Sequence, residues 1–129
     1  MNINIRGNLY DLSRAKVMGI LNLTPDSFYD GGVHSKSNEI ENHVNKMIND
    51  GMDILDIGGY SSRPGAKIIT ENEEMSRVLP ILKHLKKVFP DLIISIDTFR
   101  STVANASLAE GADIINDISS GTLDNKMMN

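Results

Sequence analysis

Three of the apolar runs in this sequence stop at a side chain rich in hydrogen-bonding atoms. The run at 17–21 ends in Asn22, that at 92–96 in Asp97, and that at 113–115 in Asn116 and Asp117. A fourth run, 54–57, leads into Gly58, Gly59 and a polar loop at 60–65 that holds Ser61, Ser62, Arg63 and Pro64. A sheltered carboxylate accepts two parallel N–H bonds from a planar amidine-like group, and an amide supplies one donor and one acceptor. Together they suit a 2-amino-4-oxo-pyrimidine edge, as in a pterin or a guanine. Hydroxyls, backbone N–H groups and one Arg in the loops at 24–32 and 60–65 suit a phosphate. The competing reading is local turn chemistry, because Asn and Asp bond nearby backbone and Pro and Gly punctuate loops.

These side chains act together only if the elements bring them to one place. The runs at 17–21, 54–57, 92–96 and 113–115 are short, apolar and rich in Ile, the signature of buried strands. Between the first two, Ile40, Val44, Met47 and Ile48 follow helical spacing, and Gly51 stands at the stop. Thr70 and Glu73 form a capping-box pattern ahead of Met75, Val78, Leu79, Leu82 and Leu85, with Pro80 expected to kink that helix. An Ala-containing helix is expected over 101–110, closed by Gly111.

A repeat links two of the units. DGMDILD at 50–56 resembles EGADIIN at 110–116, 60 residues on. Both read as a helix stop, a spacer and a buried strand, and 60 residues is about two βα units of a (β/α)₈ barrel. The alternation predicts β-α-β-α-β-α-β with parallel strands, either half of an eight-stranded barrel or a small doubly wound sheet. The repeat favours the barrel. In both, the strand C-termini share the ligand-binding face.

Composition narrows the function classes. With 13 Lys and Arg against 17 Asp and Glu, the net charge of −4 argues against nucleic acid as a partner. No apolar run approaches the roughly 20 residues of a membrane helix, and the N-terminus lacks a basic segment followed by an apolar one. The absence of Cys removes disulfides and thiolate chemistry and fits a cytoplasmic setting. His34, expected in a loop, and His43 and His84 within helical patterns show no metal-ligand spacing.

Four segments resemble the signatures of the dihydropteroate synthase family: MGILNLTPDSFYDGG at 18–32, DIGGYSSRPG at 56–65, IDTFR at 96–100 and INDISSG at 115–121. The resemblance implies a pterin-binding (β/α)₈ TIM barrel, of which residues 1–129 hold about four βα units, the N-terminal half, without an internal domain boundary. It implies condensation of 6-hydroxymethyl-7,8-dihydropterin diphosphate with 4-aminobenzoate in folate synthesis, with release of diphosphate and competition by sulfonamides. By resemblance, Asn22 contacts Mg²⁺ or the diphosphate, Ser62 binds diphosphate, and Asp97 and Asn116 read the pterin edge. Phe28 and Pro64 wall the aminobenzoate pocket, Arg63 steadies its loop, and Asp30 matches a mobile-loop carboxylate. No residue is singled out as a catalytic acid or base.

Two departures stand out. Tyr60 occupies a position where many members carry Glu. The further pterin-binding Asp, the Lys under the pterin and the basic pair of the family's second half are not in these 129 residues. A half alone is expected to be inactive. The alternatives are a non-catalytic pterin-binding fragment and a related pterin-dependent methyltransferase. A homodimer is expected for the full-length family. Self-association is expected for this half, through an inner sheet face carrying Ile20, Leu55 and Ile94.

Overall fold

The computed structural model describes residues 1–24 and 33–129. Its elements run β1 (Asn2–Ile5), β2 (Asn8–Asp11), β3 (Met18–Asn22), α1 (Val33–Asn49), β4 (Ile54–Gly58), α2 (Glu71–Val88), β5 (Ile93–Asp97), α3 (Ser101–Ala109) and β6 (Ile114–Asn116). The four expected strands and three helices are all present. Helix α1 begins at Val33, so His34 belongs to its first turn and not to a loop. Phe28 and Asp30 lie outside the described residues.

Strands β3 to β6 form one parallel sheet in the order β3-β4-β5-β6. Ile40 and Val44 of α1 and Val78, Ile81, Leu82 and Leu85 of α2 pack into one cluster with Leu21, Leu55, Ile57, Ile94 and Ile96. Helices α1 and α2 therefore cover a single face, and α3 packs beside α2. A doubly wound sheet reverses its strand order and carries helices on both faces. Sequential order with one-sided helices is the (β/α)₈ pattern, and it settles the choice between the two architectures.

Register corrects the expected inner face. Ile20 pairs with Asp56, and Asp56 with Ser95, so these three side chains share one face. Ile20 is 64% exposed there. Leu55 and Ile94 lie one residue out of that row and are fully buried under the helices. With a period of two, a one-residue offset moves a side chain to the opposite face.

Local signals act largely as read. Thr70 caps α2, its Oγ1 accepting the Glu73 N–H at 3.2 Å. Glu73 turns instead to Arg77, at 2.7 Å, so only half of the capping box forms. Helix α2 continues through Pro80, which is exposed, and the carbonyl that loses its partner belongs to Ser76, also an exposed residue. The α2 face that is buried is Glu74, Val78, Ile81, Leu82 and Leu85, with Met75 and Leu79 only half-buried. Gly51 and Gly111 take φ of +106° and +98° at the ends of α1 and α3, a conformation costly to a residue with a Cβ.

The repeat is structural. Asp53 N–H donates to the Val17 carbonyl, and the Asp53 carboxylate accepts the Val17 N–H at 2.8 Å. Sixty residues on, Asp113 does the same with Ile94, accepting its N–H at 3.0 Å. Each Asp pins its own strand to the preceding one. The hairpin β1-β2 was not expected. Its signal is the alternation of Ile3 and Ile5 up to Gly7, the second residue of a tight turn. Arg6 in that turn forks onto Asp113 at 2.5 and 2.7 Å and donates to the Pro90 and Leu92 carbonyls, tying the hairpin to the strand N-termini. Among the described residues no helix is long and apolar enough to cross a membrane.

Candidate active site

The C-terminal row of the sheet reads Asn22, Gly58, Asp97, Asn116 across four successive strands. Adjacent strands lie about 4.8 Å apart, so three side chains that are distant in sequence become neighbours. All three were expected at the site. Gly58 leaves a gap between two of them. A Cβ placed on it would lie 3.6 Å from Asp97 Oδ2 and 3.7 Å from Asn22 Oδ1.

Below this row lies Asp56, which the sequence reading had not singled out. It is 5% exposed, and its Oδ2 accepts the Asn116 Nδ2–H at 3.1 Å across β5. Its Oδ1 is buried with no hydrogen-bond partner among the described residues. A buried acceptor without a donor is costly and calls for a functional explanation. The repeat carried the signal, because Asp56 and Asn116 are its equivalent last positions and prove to be bonded to each other.

Asp97 is half-buried and accepts the Tyr60 hydroxyl at 3.2 Å on Oδ1. Burial pushes its proton affinity up, and Asp56 adds to this; the Tyr60 bond opposes both without cancelling them. Asp117, expected to converge with Asn116, does not contribute. Its oxygens accept the Ser119 N–H and hydroxyl and the Gly121 N–H, which is the turn chemistry of the competing reading.

The loop leaving β4 carries Ser62, Arg63 and Pro64, all exposed. The Arg63 N–H donates to Ser61 Oγ and its carbonyl accepts the Ala66 N–H, so Arg63 enters the turn through its backbone. The loop is held at its two ends by other arginines. Arg77 donates to the Gly59 carbonyl at 3.0 Å, and Arg100 to the Ile69 carbonyl at 2.7 Å. Arg100 also pairs with the fully buried Glu74. Gly59 permits the close seat of loop on helix, since a Cβ there would lie 2.8 Å from Val78 Cγ2. Nothing in local sequence marks Arg77 and Arg100 as loop anchors, because their partners lie on other elements.

Sequential parallel strands, helices on one face and a polar row at the strand C-termini define a (β/α)₈-type ligand-binding domain. Residues 18–129 match the family described as pterin binding enzyme. The chain is 46% identical over 113 residues to dihydropteroate synthase of Streptococcus pyogenes serotype M1, covering 88% of this chain and 42% of that protein. It is 55% identical over 113 residues to the folic acid synthesis protein fol1 of Pneumocystis carinii, covering 88% and 15%. Among solved structures, the Xanthomonas albilineans dihydropteroate synthase with 4-aminobenzoic acid superposes with a TM-score of 0.84 at 40% identity, covering 95% of this chain and 45% of that one. The Burkholderia cenocepacia dihydropteroate synthase complexed with 7,8-dihydropteroate gives 0.77 at 36%, covering 94% and 39%. This chain belongs to the pterin-binding enzyme family. It spans less than half the length of each of these relatives.

Proposed function

We propose that this chain supplies the pterin-facing half of a dihydropteroate synthase. The proposed reaction joins 6-hydroxymethyl-7,8-dihydropterin diphosphate to 4-aminobenzoate. The bond from the pterin CH₂ to the diphosphate oxygen breaks. The aromatic amine forms a new C–N bond at that carbon and loses a proton, and diphosphate leaves. The observation that carries this reading is the row Asn22, Gly58, Asp97, Asn116, backed by Asp56 with one acceptor left over. Ligands of the relatives support it, a 4-aminobenzoic acid in one case and 7,8-dihydropteroate in another.

In this reading Asp97 and Asn116 hold the 2-amino-4-oxo edge, and Asp56 Oδ1 takes a further donor. Their contribution is orientation, placing the CH₂ group for in-line attack. Ser62 supplies a hydroxyl for diphosphate, and Arg63 a charge on the same exposed loop, while Pro64 and Phe28 belong to the aminobenzoate side. The residues present fit Mg²⁺ only as an ion shared with substrate. Among the described residues no cluster of three or more His, Cys, Asp or Glu forms a metal cage, whereas the Asn22 Oδ1 at the Gly58 gap is a single hard oxygen. Mg²⁺ is commonly bound through few protein oxygens plus water and substrate phosphates. When bound, it would neutralise charge developing on the leaving diphosphate. The proposed setting is cytoplasmic.

Asp97→Ala in the full polypeptide carrying this sequence tests the reading. Loss of two charge-assisted hydrogen bonds, each about 1.5–3 kcal/mol, should weaken 6-hydroxymethylpterin binding by about a hundredfold or more. Calorimetry reads it, and a loss below about threefold with the fold intact rejects the pterin-edge role.

A further inference from the structure

Tyr60 joins two loops at the pterin edge. It lies in the loop after β4, yet its hydroxyl donates to Asp97, the last residue of β5, at 3.2 Å. Its ring meets Phe99 edge-on, with centroids 5.2 Å and planes 90° apart. The Arg100 guanidinium sits 4.7 Å from the centroid of the same Phe99 ring. Arg100 is itself anchored by Glu74 and the Ile69 carbonyl. The ring is thus held from one side while its hydroxyl reaches the carboxylate.

The two oxygens of Asp97 differ in consequence. Oδ1 accepts from Tyr60, and Oδ2 turns toward the gap over Gly58, facing Asn22. The terminal torsion of an Asp is broad, so a carboxylate without a fixed donor samples many orientations. A directed contact with a planar amidine edge requires one of them. Burial above all, with Asp97 beside it, pushes the Tyr60 phenol above its ordinary range, so it stays a donor at neutral pH.

Resting on the reading above, we infer that Tyr60 is a positioning residue for pterin recognition: its hydroxyl fixes the plane of the Asp97 carboxylate so that Oδ2 presents to the pterin edge. It acts on the ligand through Asp97. The competing account is that Asp97 merely satisfies a half-buried phenol, in which case losing the hydroxyl changes loop stability alone.

The test uses Tyr60→Phe, Asp97→Ala and the double variant in the full polypeptide carrying this sequence. Tyr60→Phe keeps the ring on Phe99 and removes only the hydroxyl. The probe is 6-hydroxymethylpterin, followed by calorimetry, with the KM for 4-aminobenzoate and thermal midpoints measured alongside. Tyr60→Phe should weaken pterin binding about five- to tenfold, less than the loss of a charge-assisted bond made to the ligand itself, because the hydroxyl acts on the ligand only through Asp97. The 4-aminobenzoate KM should stay within about twofold, and Tyr60→Phe should cost nothing further once Asp97 is Ala, because the two act as one unit. If Tyr60→Phe binds pterin like the parent while Asp97→Ala does not, the positioning role is wrong and the pterin reading stands. Equal losses for both substrates with a lowered thermal midpoint would mark a loop-stability role and also overturn it. If Asp97→Ala itself binds normally, both inferences fall.

Discussion

Replacing Asp56 by Asn should make the protein more stable and a poorer pterin binder. The side chain is 5% exposed, gives one oxygen to Asn116 at 3.1 Å, and leaves the other buried without a donor among the described residues. It also lies close enough to Asp97 to disfavour that carboxylate's charge. Asn keeps the shape and the oxygen for Asn116, and it removes the charge. Its new N–H faces a neighbourhood that includes Ser95 Oγ, another buried atom without a partner among the described residues, in register with it on β5. Relieving an orphaned acceptor is worth about 1–3 kcal/mol, so a gain of about 1–2 kcal/mol in ligand-free stability is expected after the cost of seating the amide. The same change removes an acceptor for a ligand donor. A lost charge-assisted bond of about 1.5–3 kcal/mol weakens pterin binding by about 10- to 150-fold. Urea unfolding with an unchanged m-value reads the first quantity, and calorimetry with 6-hydroxymethylpterin the second. A variant less stable than the parent that binds pterin equally well would refute the reasoning, since Asp56 would then be a structural acceptor. A site that trades stability for binding is common in enzymes.

Three further outcomes are expected. Asn22→Ala should weaken binding of the pterin diphosphate in Mg²⁺ while sparing the bare pterin, and calorimetry showing equal losses would remove Asn22 from the diphosphate side. Burial works against the Asp113 carboxylate, but the Arg6 fork, the Ile94 N–H and Lys86 outweigh it and hold its pKa below the ordinary range. Its contribution is therefore present above the unfolded carboxylate value of about 3.9 and is lost as pH falls through the lower folded value. Arg6→Ala should shrink that acid-side loss in pH-dependent unfolding curves, and an unchanged acid limb would exclude the pair as its source. A polypeptide of these 129 residues should self-associate, because Ile20 is 64% and Met18 43% exposed on the face opposite the helices, and β3 and β6 are both sheet edges. A scattering mass that stays monomeric across a dilution series would count against this.

What the sequence determined alone was the alternation of elements, their stops and the residues at their ends. Apolar runs of three to five residues, helical spacing at Ile40, Val44 and Met47, the Thr70 cap and the glycines at 51 and 111 act over a few residues, so each can be read in place. The repeat at 50–56 and 110–116 was equally legible, and so was the convergence of Asn22, Asp97 and Asn116, because parallel strands put their C-termini on one face. Long-range pairing decided the rest. Which face Leu55 and Ile94 occupy depends on register with β3, a relation between segments more than 30 residues apart. Asp117 looked like a partner of Asn116 until the turn after β6 claimed its oxygens. Asp56 became a site residue only when β6 came within reach of its carboxylate. Tyr60, Arg77 and Arg100 find their partners across loops and helices, and no spacing along the chain encodes those meetings. Local propensity is written residue by residue, whereas the environment of a buried polar group is set by whichever strand arrives beside it.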